Sequence, residues 1–228
     1  MSIPESSTAA TRAISTVAVS PCQLAHIALR TPRYKEMCHF YLTLLNGTAA
    51  FHNDLALFVR YDHEHHRIVI VNVPSLPAAE TRQAGVAHYA FTYQSLEEVL
   101  GTYLRLQTEG IHPCWCINHG FTTSIYYYDP DGNMVETQYD NMNVADADAF
   151  MRSEYFAMNP IGVDFDPELL IRRFRRGDPS SELVKLGSAP YPEDVEPVRP
   201  KNAAQYDYRG KLLHPRSEAT AKSNLGSP

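Results

Sequence analysis

A short apolar strand with a histidine at its centre occurs twice in this chain. It is first Leu24-Ala25-His26-Ile27-Ala28-Leu29 and later Val86-Ala87-His88-Tyr89-Ala90-Phe91. Strand side chains alternate between two faces, so Leu24, His26 and Ala28 share one face, as do Val86, His88 and Ala90. A third apolar strand, Met134-Val135-Glu136-Thr137-Gln138, carries a lone acid. An unpaired carboxylate on an apolar strand face either costs several kcal/mol or shifts its pKa upward. A divalent cation removes that cost, because it stabilises the anion and takes neutral imidazole nitrogens directly. Two histidines and one carboxylate are the ligand set of a non-haem Fe(II) or similar site with open coordination positions.

The surroundings of the two histidine strands repeat as well. After the first strand, residues 23–31, the spacing of Met37, Phe40, Tyr41, Leu44 and Leu45 predicts a helix over Tyr34–Leu45, stopped by Asn46-Gly47. Three strands follow at 48–51, 55–61 and 67–73, with the polar turn Asp62-His63-Glu64-His65-His66 between the last two. The second copy opens with a strand over 86–93. Ser95 reads as the N-cap of a helix with Leu96, Val99, Leu100, Tyr103, Leu104 and Leu106 on one face, and Gly110 ends it. Strands are expected at 112–117, 122–128 and 133–139. Asp129-Pro130-Asp131-Gly132-Asn133 reads as the turn between the last two, since Pro presets one φ and Gly supplies a positive one.

The pattern is therefore a duplicated strand-helix-three-strand module, in the α+β class. Two βαβββ modules, 22–73 and 86–139 within a domain spanning 21–140, are expected to form a curved open sheet cup. Residues 1–20 read as a disordered arm. A helical extension is expected over 141–178, with helices at 148–158 and 166–177, the second having an Asp N-cap, Pro at its first position and Gly at its end. Arg172, Arg173, Arg175 and Arg176 lie near the end of that helix, where cations suit its dipole. Residues 179–228 are rich in Pro, Ser and charge and are expected to be an extended or disordered tail.

A net charge of −6 argues against nucleic acid as a partner. No apolar run reaches the roughly 18 residues of a membrane span, and residues 1–20 have no apolar core of a secretory signal. A cytoplasmic location is expected. Cys22, Cys38, Cys114 and Cys116 do not have zinc-finger or ribbon spacing and read as reduced core thiols.

The two histidine strands, the acid strand and the Asp-Pro-Asp-Gly-Asn turn together resemble the vicinal-oxygen-chelate superfamily. That group includes glyoxalase I, bleomycin-resistance proteins and extradiol ring-cleaving dioxygenases. The resemblance covers residues 22–140 and implies a metal held in the cup by His26, His88 and Glu136. Glyoxalase I uses a fourth ligand on the last strand of its first module. Here that strand has no acid or histidine, and Asn72 is the only conceivable weak donor. Three ligands favour the dioxygenase-like arrangement, with Fe(II) as the metal and Mn, Ni, Co or Zn as alternatives.

The resemblance also implies that Tyr126 hydrogen-bonds a substrate oxygen and that His119 contacts substrate. The further histidine that ring-cleaving relatives carry before the second ligand is missing from residues 72–75. Three readings follow. The first is a ring-cleaving dioxygenase acting on a small aromatic diol. The second is a redox-neutral lyase, isomerase or cyclase on a bidentate oxygen substrate. The third is a non-catalytic protein holding a small apolar ligand. A homodimer is implied in each, and residues 166–177 are a plausible docking helix.

Overall fold

A computed structural model describes residues 16–77 and 85–200. Most of the N-terminal arm, and the tail beyond residue 200, lie outside the described residues. The first module comprises β1 (Ile27–Thr31), α1 (Tyr34–Leu45), β2 (Thr48–His52), β3 (Ala56–Arg60) and β4 (Ile68–Asn72). The second comprises β5 (His88–Thr92), α2 (Leu96–Thr108), β6 (Trp115–Asn118), β7 (Thr122–Tyr128) and β8 (Met134–Asp140). Then come α3 (Val144–Met151), α4 (Glu154–Met158), β9 (Val163–Asp164), α5 (Pro167–Arg175) and α6 (Ser180–Leu183).

The strands form two open sheets, ordered β1-β4-β3-β2 and β5-β8-β7-β6-β9. In each module the first and last strands pair in parallel, which requires a crossover. The helix and hairpin between them provide it. Local chemistry sets the elements. Asn46 ends α1 in the left-handed region at φ 46°. A side chain at Gly47 would put its Cβ 2.6 Å from Val59 Cγ1, so only glycine lets β3 approach. Ser95 Oγ accepts from the Glu98 amide, and the Glu98 carboxylate accepts from the Gln94 amide, which closes the first turn of α2 much as a capping box does.

One core joins the modules. Tyr41, Leu44, Leu57, Ile68 and Ile70 of the first module and Val99, Leu106, Tyr127 and Val135 of the second belong to the same buried cluster. Polar ties reinforce it. The Arg105 guanidinium donates to the carbonyls of Thr43 and Leu44 at the C-terminus of α1, which also neutralises that helix end. The Tyr41 hydroxyl contacts that of Tyr89 and donates to Asp129 at 2.8 Å. Asp129 also accepts from the amides of Asp131 and Asn133 and from the Asn133 side chain.

Burial raises the Asp129 carboxyl, and the Asn133 and Tyr41 hydrogen bonds only partly offset this. Asp129→Ala strips the acceptor from both the turn and Tyr41. It is expected to lower the unfolding free energy by about 2 kcal/mol, measured by denaturant titration. A loss under about 0.5 kcal/mol would show that the turn closes without it.

The C-terminal extension differs from expectation in three ways. The segment 148–158 is not one helix, because Ser153 accepts from the Phe156 amide and starts α4 separately. Residues 163–164 add a short strand to β6, too short to show a sequence period. The described part of the expected loose tail is docked: Leu183 and Ala189 are buried in the shared core, and Arg199 pairs with Asp164. Its polar composition concealed these few anchors. Within the arginine cluster, Arg173 and Arg176 both pair with Asp178, and these hydrogen bonds, Arg176 first, hold its carboxyl at about 2. No helix among the described residues is long and apolar enough to cross a membrane.

Candidate metal centre

Strand alternation aims the second-module donors. Tyr89 and Phe91 of β5 pack on the shared core, so His88, Ala90 and Thr92 point to the opposite face, where all three are exposed. Ala90 pairs with Glu136 of β8, and paired residues share a face. The His88 Nε2 to Glu136 Oε2 distance is 3.2 Å. Glu136 is only 3% exposed. Burial alone would raise its carboxyl, but hydrogen bonds, from His88 first and then Ser124, lead the influences that outweigh it and hold it below the usual glutamate value. His88 is shifted upward, chiefly by its hydrogen bond to Glu136. A positive charge between these two groups is thus favoured by the protein itself.

Tyr126 of β7 lies directly opposite Glu136 and is 2% exposed. Its hydroxyl is 2.9 Å from His119 Nε2 and also reaches Glu136. Burial first, and then the Glu136 charge, push the Tyr126 phenol far upward, so it remains protonated. His119 follows β6, with its Nδ1 on the Ile161 carbonyl. A carbonyl only accepts, so Nδ1 carries the proton and Nε2 of the neutral ring accepts from Tyr126. Burial lowers the His119 pKa and favours that neutral form. The Gly162 backbone, at φ 107°, lies so close to Asn118 that a Cβ there would be 2.1 Å from its carbonyl oxygen. Gly162 therefore permits the approach that brings Ile161 to His119.

The structure gathers four of the five residues singled out from the sequence: His88, Glu136, Tyr126 and His119. The fifth, His26, sits one residue before β1 on the other sheet. Ile27 and Leu29 pack on the shared core, so His26 faces away from it. Its ring lies 4.7 Å from that of His66, which also touches Phe58 at 5.0 Å. Among the described residues no three His, Cys, Asp or Glu side chains are grouped closely enough to hold a metal ion. Register explains why the first module has no acid of its own. Ala28 is two residues beyond His26, as Ala90 is beyond His88, and it pairs with Val69. Val69 thus occupies the place of Glu136. Asn72 is engaged elsewhere, donating to the Asp54 carbonyl.

Sequence reasoning missed several neighbours. Ser124 shares the Glu136 face and was legible from the period of two in β7. His66 read as part of an exposed turn, yet it is half-buried between rings. Trp115 packs 5.2 Å from Tyr126, Phe121 stacks 6.2 Å from His119, and Phe150 and Phe156 close around Phe121. The last two come from α3 and α4, and no local signal ties those helices to the site. The cysteines take no part. Burial pushes the Cys114 thiol up to about 12 and Cys116 higher still, which keeps both protonated.

A divalent cation fits the second-module pair on donor chemistry, a buried anionic carboxylate beside an imidazole nitrogen on an open face. Within one chain it would find two donors. Residues 23–137 match the Glyoxalase/Bleomycin resistance protein/Dioxygenase superfamily, and the chain belongs to it. It is 39% identical over 166 residues to Biphenyl-2,3-diol 1,2-dioxygenase 2 of Rhodococcus globerulus, covering 71% of this chain and 86% of that protein. Biphenyl-2,3-diol 1,2-dioxygenase 3 of the same organism is 37% identical over 165 residues, covering 71% and 87%. A solved lactoylglutathione lyase from Agrobacterium tumefaciens is 18% identical, with a TM-score of 0.43 over 52% of this chain and 94% of that one. The two dioxygenases support an extradiol-type reading, and the superfamily implies a metal cofactor.

Proposed function

We propose that this chain is an Fe(II)-dependent extradiol-type dioxygenase that cleaves the ring of a small aromatic diol, with His26, His88 and Glu136 as the metal ligands. The observation that carries this reading is the buried anionic Glu136 held against His88 with the Tyr126 hydroxyl on the same face. The kinship with two biphenyl-diol dioxygenases supports it. In such a reaction the diol and O2 combine, a ring carbon–carbon bond beside the diol breaks, and both oxygen atoms enter the product. Bound iron with open positions supplies Lewis-acid and redox chemistry toward a vicinal diol and O2.

The chain's own residues do the rest. Tyr126 donates its one proton to neutral His119, which fixes the direction of the hydroxyl and leaves its oxygen to accept from a diol hydroxyl. Trp115 and Phe121 give the aromatic ring an apolar surface and limit water. The reading includes a cytoplasmic homodimer, and the four free thiols suit a reducing compartment.

Anaerobically purified protein is expected to contain close to one iron per metal site. It should consume one O2 per molecule of biphenyl-2,3-diol or catechol lost, followed with an oxygen electrode. Turnover of a bidentate oxygen substrate without O2, sustained by Mn, Ni or Zn, would overturn the dioxygenase reading in favour of redox-neutral chemistry.

A further inference from the structure

Three strands of the second sheet carry one lateral row of side chains. Trp115 of β6 pairs with Tyr126 of β7, and Tyr126 pairs with Glu136 of β8. Directly paired residues share a face, so the indole stands next to the phenol that reaches Glu136. The rings of Trp115 and Tyr126 are 5.2 Å apart, and that of His119 lies edge-on to Trp115 at 6.0 Å. Trp115 is half-buried, and the torsion that turns an indole about its stem is broad and roughly two-fold. Packing alone therefore leaves the plane of the ring adjustable.

The outer edge of the sheet supplies the missing constraint. β9 pairs with β6 so that Asp164 lies opposite Ile117. Ile117 is two residues from Trp115, so Asp164 faces the same way and stands diagonal to the indole, within reach of a long side chain. Its Oδ1 accepts from Trp115 Nε1 at 2.7 Å. Its Oδ2 accepts from Arg199 Nε at 2.7 Å and also contacts Arg199 Nη2. Asp164 is 5% exposed, and a carboxylate so buried needs a paired cation. Arg199 brings that charge from 35 residues further along the chain. Each carboxylate oxygen thus has its own partner, and the indole N–H meets an ionised acceptor, the stronger kind of hydrogen bond.

The same stretch of chain reaches His119. Buried Asn159 accepts from the Gly162 amide and donates to the Gly162 carbonyl. The loop so closed presents the Ile161 carbonyl to His119 Nδ1. Residues 159–164 therefore touch both rings that flank Tyr126. Neither they nor Arg199 lie within residues 23–137, the span that matches the superfamily.

We propose that Asp164, held by Arg199, is a positioning residue of this site: it sets the plane of the Trp115 indole, and the aromatic ring of the substrate lies against that plane. The substrate half of the proposal rests on the diol-dioxygenase reading above. The hold on the indole does not.

Trp115 is the only tryptophan in the chain, so its emission reports the hold directly. Full-length Asp164→Ala, with and without iron and excited beyond the tyrosine band, should show lower tryptophan anisotropy than wild type. In the iron-loaded protein it is expected to raise KM for biphenyl-2,3-diol about tenfold and to change kcat by less than about threefold. Arg199→Gln, at a less buried position, should move both readouts the same way by a smaller amount, and it carries the test if Asp164→Ala does not fold. Trp115→Phe has no N–H to hold. Adding Asp164→Ala to that variant should leave its KM within about twofold, because Asp164 acts through the indole.

Unchanged anisotropy in Asp164→Ala and Arg199→Gln would overturn the proposal. So would an equal rise in KM from Asp164→Ala with and without the indole, the mark of a merely structural residue. Failure of the underlying reading looks different: wild type itself would then leave the diol unconsumed, while the anisotropy of the variants would still decide the hold on Trp115.

Discussion

Glu136→Gln is expected to remove iron almost completely and to lower diol cleavage by on the order of 10³-fold. The substitution keeps size and shape, so the effect reports charge. Glu136 is the buried anion of the site, and a glutamine amide is a poor ligand for a divalent ion. Iron content below a tenth of wild type, with a near-native circular dichroism spectrum, is the expected result. Retention of iron would remove Glu136 from the ligand set.

The metal-free protein offers a second readout of the same pair. Glu136 is held below its ordinary value of 4.5, so its contribution to stability is present above that pH and is lost as pH falls through the lowered value. His88 is held above its ordinary value of 6.5, so its contribution is present below that pH and is lost as pH rises through the raised value. Metal-free wild type should therefore exceed Glu136→Gln in melting temperature most clearly between pH 4.5 and 6.5. Equal melting curves across that window would mean that the pair contributes nothing without metal.

Tyr126→Phe is expected to lower kcat for diol cleavage by about 10²-fold while leaving iron content unchanged. Only the hydroxyl is lost. The ring still packs on Trp115 and His88, but His119 Nε2 loses its donor and a substrate oxygen loses its partner. Tyr127→Phe is the matched control. Tyr127 is fully buried on the core side, and its hydroxyl has no hydrogen-bond partner among the described residues. Removing that hydroxyl should leave kcat within about twofold and stability unchanged or raised. If the two variants behaved alike, Tyr126 would be a packing residue and the substrate contact would lie elsewhere.

The contrast between Tyr126 and Tyr127 also shows what was legible in advance. Alternation along β7 requires that neighbours in the Tyr126-Tyr127-Tyr128 run face opposite ways, but not which face is buried in the core. The same holds for Ser124, whose place beside Glu136 follows from the period of two once Tyr126 is assigned. Phe150 and Phe156 were not legible in this way. They reach the site through the packing of α3 and α4 on Phe121, and nothing within a few residues of either specifies that contact. The docking of Leu183 and Ala189 escaped for a related reason: isolated anchors in a polar segment leave no periodic signal.

By itself the sequence determined the duplicated module, the turns and caps that bound its elements, and which side chains share a strand face. These are properties of neighbouring residues, set by alternation, by proline and glycine backbone preferences and by side-chain capping. They suffice to put His88 and Glu136 each on one face of its own strand and to show that the first module has a histidine without a matching acid. Only the tertiary structure decided which surfaces meet. The helix-bearing sides of both sheets bury their apolar residues in one core and turn the histidine-bearing faces outward, because that packing removes the most apolar surface from water. His26 is thereby parted from His88 and Glu136 within the chain.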